Sequence, residues 1–162
     1  MNIIQSLMEL MDASPVSFLA AQYVEEQLHA AGFVELKAEE PFPDKRAGDQ
    51  YYVTKNGSAV LARRVGRRPA AESGFKLICA HSDSPGFRVK PHAAMRCEGN
   101  MVKLNTEVYG GPILYTWFAR PLGLAGRVML RTDDPLHPSC NAYAPAGHFS
   151  SFHIWPFTST AV

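Results

Sequence analysis

The chain has no excess of charge of either sign: 16 Lys and Arg stand against 15 Asp and Glu, a formal net charge of +1 over 162 residues. Without a global field there is nothing to draw nucleic acid or an anionic membrane from a distance. The local pairs Arg63-Arg64 and Arg67-Arg68 flank an expected strand and a Gly-Arg-Arg-Pro turn, and read as a solvated face. No basic stripe is interleaved with stacking aromatics, which argues against nucleic-acid binding. Long apolar runs are also missing. Residues 1–11 lack a basic start and are interrupted by Glu9, so they resemble neither a secretory signal nor a membrane span, and the expected location is the cytoplasm. Cysteine is scarce and odd in number. Cys79, Cys97 and Cys140 have no paired spacing, which suits reduced thiols better than a disulfide framework. There is no internal repeat, and neither Ser82 nor Ser84 lies in a Gly-x-Ser-x-Gly elbow, which counts against a serine hydrolase.

What is present suffices for an ordinary core: 46% of the residues are hydrophobic, enough for one domain with room for part of a second. Ile3, Ile4, Leu7, Leu10 and Met11 recur at helical spacing, which predicts a helix over residues 2–11. After a break, Ser14 is the expected cap of a second helix, with Pro15 at its first position. Its apolar face would be Phe18, Ala21, Val24, Leu28 and Ala31, and Gly32 would end it in a left-handed conformation. Residues 41–49 are a loop by composition. Then Gln50–Lys55, Asn56-Gly57 and Ser58–Ala62 give a strong hairpin signal, because Asn-Gly tolerates the positive φ of a tight turn. Beyond a short strand at Phe87–Lys90, stopping before Pro91, residues 100–130 read as short β-like runs separated by glycines.

The apolar run Leu77-Ile-Cys-Ala80 predicts a buried strand that delivers His81 and Asp83 at its end, with Cys79 a small core residue. A His-x-Asp pair leaving a strand suits zinc. Imidazole binds the ion, while a carboxylate two residues on points to the same side and can orient the ligand. Cys140, His148 and His153 are candidates for a small structural zinc site, but their spacing fits no common finger.

Taken in order, several motifs resemble the aspartyl aminopeptidase family of zinc metallo-aminopeptidases over most of residues 1–138. They are Ala13-Ser-Pro15, Gln50-Tyr-Tyr-Val-Thr54, Glu72-Ser-Gly-Phe-Lys-Leu77, Ala80-His-Ser-Asp-Ser-Pro85, Phe87-Arg-Val-Lys-Pro91, Glu107-Val-Tyr-Gly-Gly111, and Thr116-Trp-Phe118 leading to Leu124-Ala-Gly-Arg-Val128. A series in the right order is far more specific than any one motif. The resemblance implies an α/β fold: the N-terminal part of a zinc aminopeptidase catalytic domain over residues 1–92, then the start of a β-rich insertion and oligomerisation domain over 93–138, cut short. It further implies hydrolysis of N-terminal acidic residues from peptide substrates, two zinc ions and a homo-oligomer. His81 would be a zinc ligand, and Asp83 the carboxylate that holds its geometry or supports the general base. The remaining ligands and the catalytic Glu of the family would lie beyond residue 162. A catalytic zinc normally has three protein ligands, so a catalytically inactive remnant is the alternative reading, with unpaired strand edges and exposed Trp117, Phe118 and Trp155.

Two departures stand out. Ala119 replaces an Asp that the family usually has before Arg120, removing a carboxylate partner for that arginine. From about Ser139 to Val162 the sequence has no regular period and no Lys, Arg, Asp or Glu. Permissible codons for Phe152–Ala161, read two bases out of phase, give Pro-His-Leu-Ala-Ile-His-Phe-Asn-Arg, which resembles the family's continuation. A frame change near Pro138–Cys140 is therefore expected, and His148 and His153 inherit no role from the family.

Overall fold

The computed structural model describes residues 2–118, 122–130, 133 and 139–143. In chain order the elements are α1 (Ile3–Ala13), α2 (Ser17–Ala30), β1 (Val34–Glu35), β2 (Gln50–Lys55), β3 (Ala59–Arg64), α3 (Ala70–Ser73), β4 (Gly86–Arg96), β5 (Val102–Tyr109), β6 (Gly126–Leu130) and β7 (Ser139–Tyr143), with single 3-10 turns at Glu98–Asn100 and Leu114–Trp117. The described residues fall into two compact units, one of residues 2–83 with those of 125–143, the other of those of 84–124.

In the first unit, Asn2 starts α1: its side chain accepts a hydrogen bond from the Ile4 N–H at 3.1 Å, satisfying one of the donors a helix start leaves free. The second helix starts later than expected. It begins at Ser17 with Val16 in the cap position and no side-chain cap, while the Ser14 hydroxyl is buried without a partner among the described residues. Its end is as the sequence suggests. Gly32 has φ +81°, and the Gly32 and Phe33 N–H groups return to His29 and Leu28 carbonyls, the paired closure that a left-handed residue allows.

A three-stranded sheet follows, in the order β1-β2-β3, with β1 parallel to β2 and β2 antiparallel to β3. The Asn-Gly signal is borne out: β2 and β3 form a hairpin, and Asn56 (φ 53°) and Gly57 (φ 63°) supply its left-handed turn. Helix α2 packs on β3. Ala20 and Ala21 let it approach closely, and with Tyr51 and Tyr52 they are the buried hydrophobic residues among those described. Burial, and secondarily the charges of Glu35 and Glu25, raise the Tyr52 phenol above its ordinary pKa. The start of β2 is locked by Asp49, which accepts from the Arg46 N–H at 2.7 Å and the Tyr51 hydroxyl at 2.8 Å.

One expected element is corrected. Phe75–His81 is not a buried strand: it has no ladder partner, and Phe75, Leu77 and Ile78 are 84%, 80% and 96% exposed. The residues are strand-like, but a strand needs neighbours on its edges and faces, and no described element supplies them. Cys79 is accordingly exposed rather than a core residue. The first residues of the tail, Ser139–Tyr143, form β7 and pair antiparallel with β6.

The second unit is built on the β4–β5 ribbon. Strand β4 runs through Pro91 instead of stopping before it, and the register shifts between Val89 and Ala94. An irregularity is where a ladder tolerates a residue without an N–H. The expected domain boundary at 92/93 falls within this strand. Phe87 and Trp117 meet edge to face with centroids 5.2 Å apart, and the Arg88 guanidinium lies 3.8 Å from the Tyr109 ring centroid while its backbone pairs with Glu107. Trp117 therefore has an aromatic partner, whereas Phe118 is 43% exposed. Ala119, Arg120, His148, His153 and Trp155 lie outside the described residues.

Candidate functional site

The loop after the exposed segment brings His81 and Asp83 together. His81 Nδ1 lies 2.7 Å from the Asp83 backbone carbonyl and 3.5 Å from Asp83 Oδ1. A carbonyl oxygen only accepts, so Nδ1 carries the hydrogen and donates it, and in the neutral ring Nε2 then has the lone pair. That is the tautomer a metal-ligating imidazole needs when Nε2 is the ligating atom, with the other nitrogen held by a neighbouring oxygen. The His81 side chain is 84% exposed and that of Asp83 39%, so Nε2 is open to an incoming ion.

Between them, the Ser82 hydroxyl donates to the Ser58 carbonyl at 3.0 Å and anchors the loop to the hairpin turn. Ser82 is thereby a structural donor rather than a nucleophile, because the adjacent imidazole directs Nδ1 to Asp83 and not to a serine oxygen. On the other side of the turn, Arg127 Nη1 donates to the Asn56 carbonyl at 3.0 Å, and the guanidinium sits 4.1 Å from the Phe18 ring centroid. In the sequence Arg127 stands out only as part of the Leu124-Ala-Gly-Arg-Val128 motif. Its contact with Asn56 joins residues 71 apart, a separation that no local pattern announces.

Fit to zinc is partial. His81 presents one exposed imidazole nitrogen, but no group of three or more His, Cys, Asp or Glu able to hold a metal ion occurs among the described residues.

Solved aminopeptidases share this fold. Over 86% of the chain the structure superimposes on part of one chain from a cryo-EM structure of an Ape4 and Nbr1 complex, with TM-score 0.79, 32% identity and coverage of 26% of that chain. Over 88% it matches 33% of yeast aminopeptidase 1, with TM-score 0.78 and 22% identity, a likeness of fold alone. The α/β architecture is therefore that of part of an aminopeptidase I-type protein. The sequence agrees: the profile described as Aminopeptidase I zinc metalloprotease (M18) matches residues 10–141, and the chain belongs to that family. A probable M18 family aminopeptidase 2 from Clostridium novyi (strain NT) is 48% identical over 140 residues, covering 85% of this chain and 32% of the relative. Its counterpart from Ectopseudomonas mendocina (strain ymp) is 44% identical over 132 residues, covering 82% and 30%. The chain thus spans about a third of the length of these curated relatives. Among the described residues no helix is long and apolar enough to cross a membrane.

Proposed function

We propose that the chain is part of the catalytic half of a zinc metallo-aminopeptidase that removes acidic N-terminal residues from peptides, and that it contributes His81 as one ligand of a two-zinc site. Asp83 holds the His81 ring through its carbonyl and approaches the same nitrogen with its carboxylate, which supports a role in fixing ligand geometry rather than in proton transfer. The observation that carries the reading is the Nδ1–carbonyl bond, which leaves Nε2 bare in a segment matched by the M18 family. On this reading residues 1–92 belong to the catalytic domain and 93–138 to an insertion that builds a homo-oligomer. A dodecamer is described for yeast mApe1, a structural neighbour.

The described residues hold one ligand, so the 162-residue chain alone is expected to be inactive. The test has two arms. The purified chain with zinc should release no Asp or Glu from N-terminal Asp or Glu substrates beyond a chelated control. Residues 10–141 grafted into the Clostridium novyi relative in place of its matched segment should give chelator-sensitive hydrolysis with preference for acidic N-termini. His81→Ala in that chimera should lower kcat/KM by a factor of about 1,000 or more. A chimera that keeps its activity without His81 would refute the ligand assignment, and one that prefers Leu or Lys substrates would refute the specificity.

A further inference from the structure

Two side-chain hydrogen bonds reach across long stretches of sequence to the same β-turn. Ser82, 24 residues away, donates to the Ser58 carbonyl, and Arg127, 71 residues away, donates to the Asn56 carbonyl, each at 3.0 Å. The acceptors lie on either side of Gly57. The turn they hold is well defined, since Asn56 and Gly57 both have left-handed φ and the Ser58 N–H closes back on the Lys55 carbonyl at 3.1 Å. Arg127 is itself fixed from behind by the Phe18 ring, which it covers at 4.1 Å from the centroid. A planar guanidinium can stack on a ring and donate at its edge at the same time, which a lysine ammonium cannot reproduce.

Ser82 sits between His81 and Asp83. Tying its hydroxyl to the turn restrains the two peptide units that separate the imidazole from the carbonyl it bonds. That bond selects the Nδ1–H tautomer and leaves Nε2 bare. The turn is thus a shared anchor, with the metal-ligand loop on one side and, on the other, a strand that follows the second compact unit in sequence.

We propose that Ser82 and Arg127 are positioning residues for His81: by clamping the Asn56–Ser58 turn from both sides they hold the imidazole in its ligating tautomer. The role rests on reading His81 as a metal ligand, and neither residue touches substrate. A merely structural clamp would change stability and leave the ring's tautomer alone.

The test reads the His81 ring in long-range proton–nitrogen spectra of the 162-residue chain, above the histidine titration range, with the signal assigned through His81→Ala. The wild type should show mostly the Nδ1–H form. Ser82→Ala and Arg127→Ala should each lower the ratio of Nδ1–H to Nε2–H tautomer by about threefold or more, the scale of one net hydrogen bond. Their double variant should lose less than the product of the single effects, because both act through one turn. Ser82→Thr, which keeps the hydroxyl, should restore the wild-type ratio. If Arg127→Ala unfolds, Arg127→Lys keeps a cation near Phe18 and should shift the ratio in the same direction by less. An unchanged ratio in the Ser82 and Arg127 variants, even with lowered Tm, would overturn the proposal, and a response to Ser82→Ala alone would overturn the assignment of Arg127. Added zinc separates this from the parent reading. A His81 ring that ignores zinc yet responds to the variants sinks only the ligand assignment, while one that responds to zinc but not to the variants sinks only the clamp.

Discussion

The hairpin Gln50–Arg64 and the segment Phe75–His81, with its apolar run Leu77–Ala80, both suggest β structure, yet only the first is a strand pair. The hairpin contains its own partner: an Asn-Gly turn brings β2 back against β3, and the adjacent Tyr51 and Tyr52, on opposite faces of β2, are buried to 9% and 5% exposure. The Phe75–His81 segment is also largely apolar, with Ile78 its one β-branched residue, but its ladder would have to come from elsewhere, and Ile78 stays 96% exposed. β-propensity describes how a residue fits a pleated, half-buried surface, so it is realised only where that surface exists. A turn is local and closes by itself. A central strand is a property of its neighbours.

That contrast orders the expected mutational effects. Tyr52→Ala removes a buried ring and should cost about 3 kcal/mol of unfolding free energy in a denaturant titration. A loss below about 1 kcal/mol would mean that the hairpin is no better packed than the exposed segment. Gly57→Ala places a side chain at φ 63° and should cost about 1 kcal/mol, with the strain confined to the turn. Amide exchange should show faster opening at Lys55–Ala59 without loosening α1.

A smaller effect depends on pH. The Arg46 N–H, and after it the Tyr51 hydroxyl, hold the Asp49 carboxyl below its ordinary pKa against a minor opposing contribution from burial. A depressed folded pKa means that the unfolded chain binds the proton more readily. Asp49 therefore contributes its full stabilisation above the ordinary carboxylate range, and loses it as pH falls through its lowered folded value. Asp49→Asn should thus lower Tm at neutral pH and differ less from the wild type on acidification. A gap that widened in acid would reverse the assigned sign. At the bottom of the scale, Ile78→Ala should change stability by no more than about 0.5 kcal/mol, since so exposed a side chain has little to lose. A cost of 2 kcal/mol would show that the segment is packed in solution and erase the contrast.

The same division explains what could be read from the sequence. Helix α1 and the end of α2 at Gly32 followed from spacing and glycine chemistry, and the hairpin followed from Asn56-Gly57. The start of α2 did not. Ser-Pro favoured a cap at Ser14, but the backbone becomes helical only at Ser17. Pro91 suggested a stop, yet a register shift absorbs it. Of the site, the pairing of His81 with Asp83 was legible because the residues are two apart and share a loop. The anchors at Ser58 and Asn56 were not, because they depend on contacts across 24 and 71 residues. Family motifs marked both anchoring residues without saying what they touch.

The most direct test of the account is a zinc titration of the 162-residue chain followed at the His81 ring. A single presented Nε2 predicts that zinc perturbs the His81 ring signals weakly, without saturating at one equivalent. A His81 ring that does not respond at any zinc concentration would contradict it, because Nε2 would then not be presented to an incoming ion.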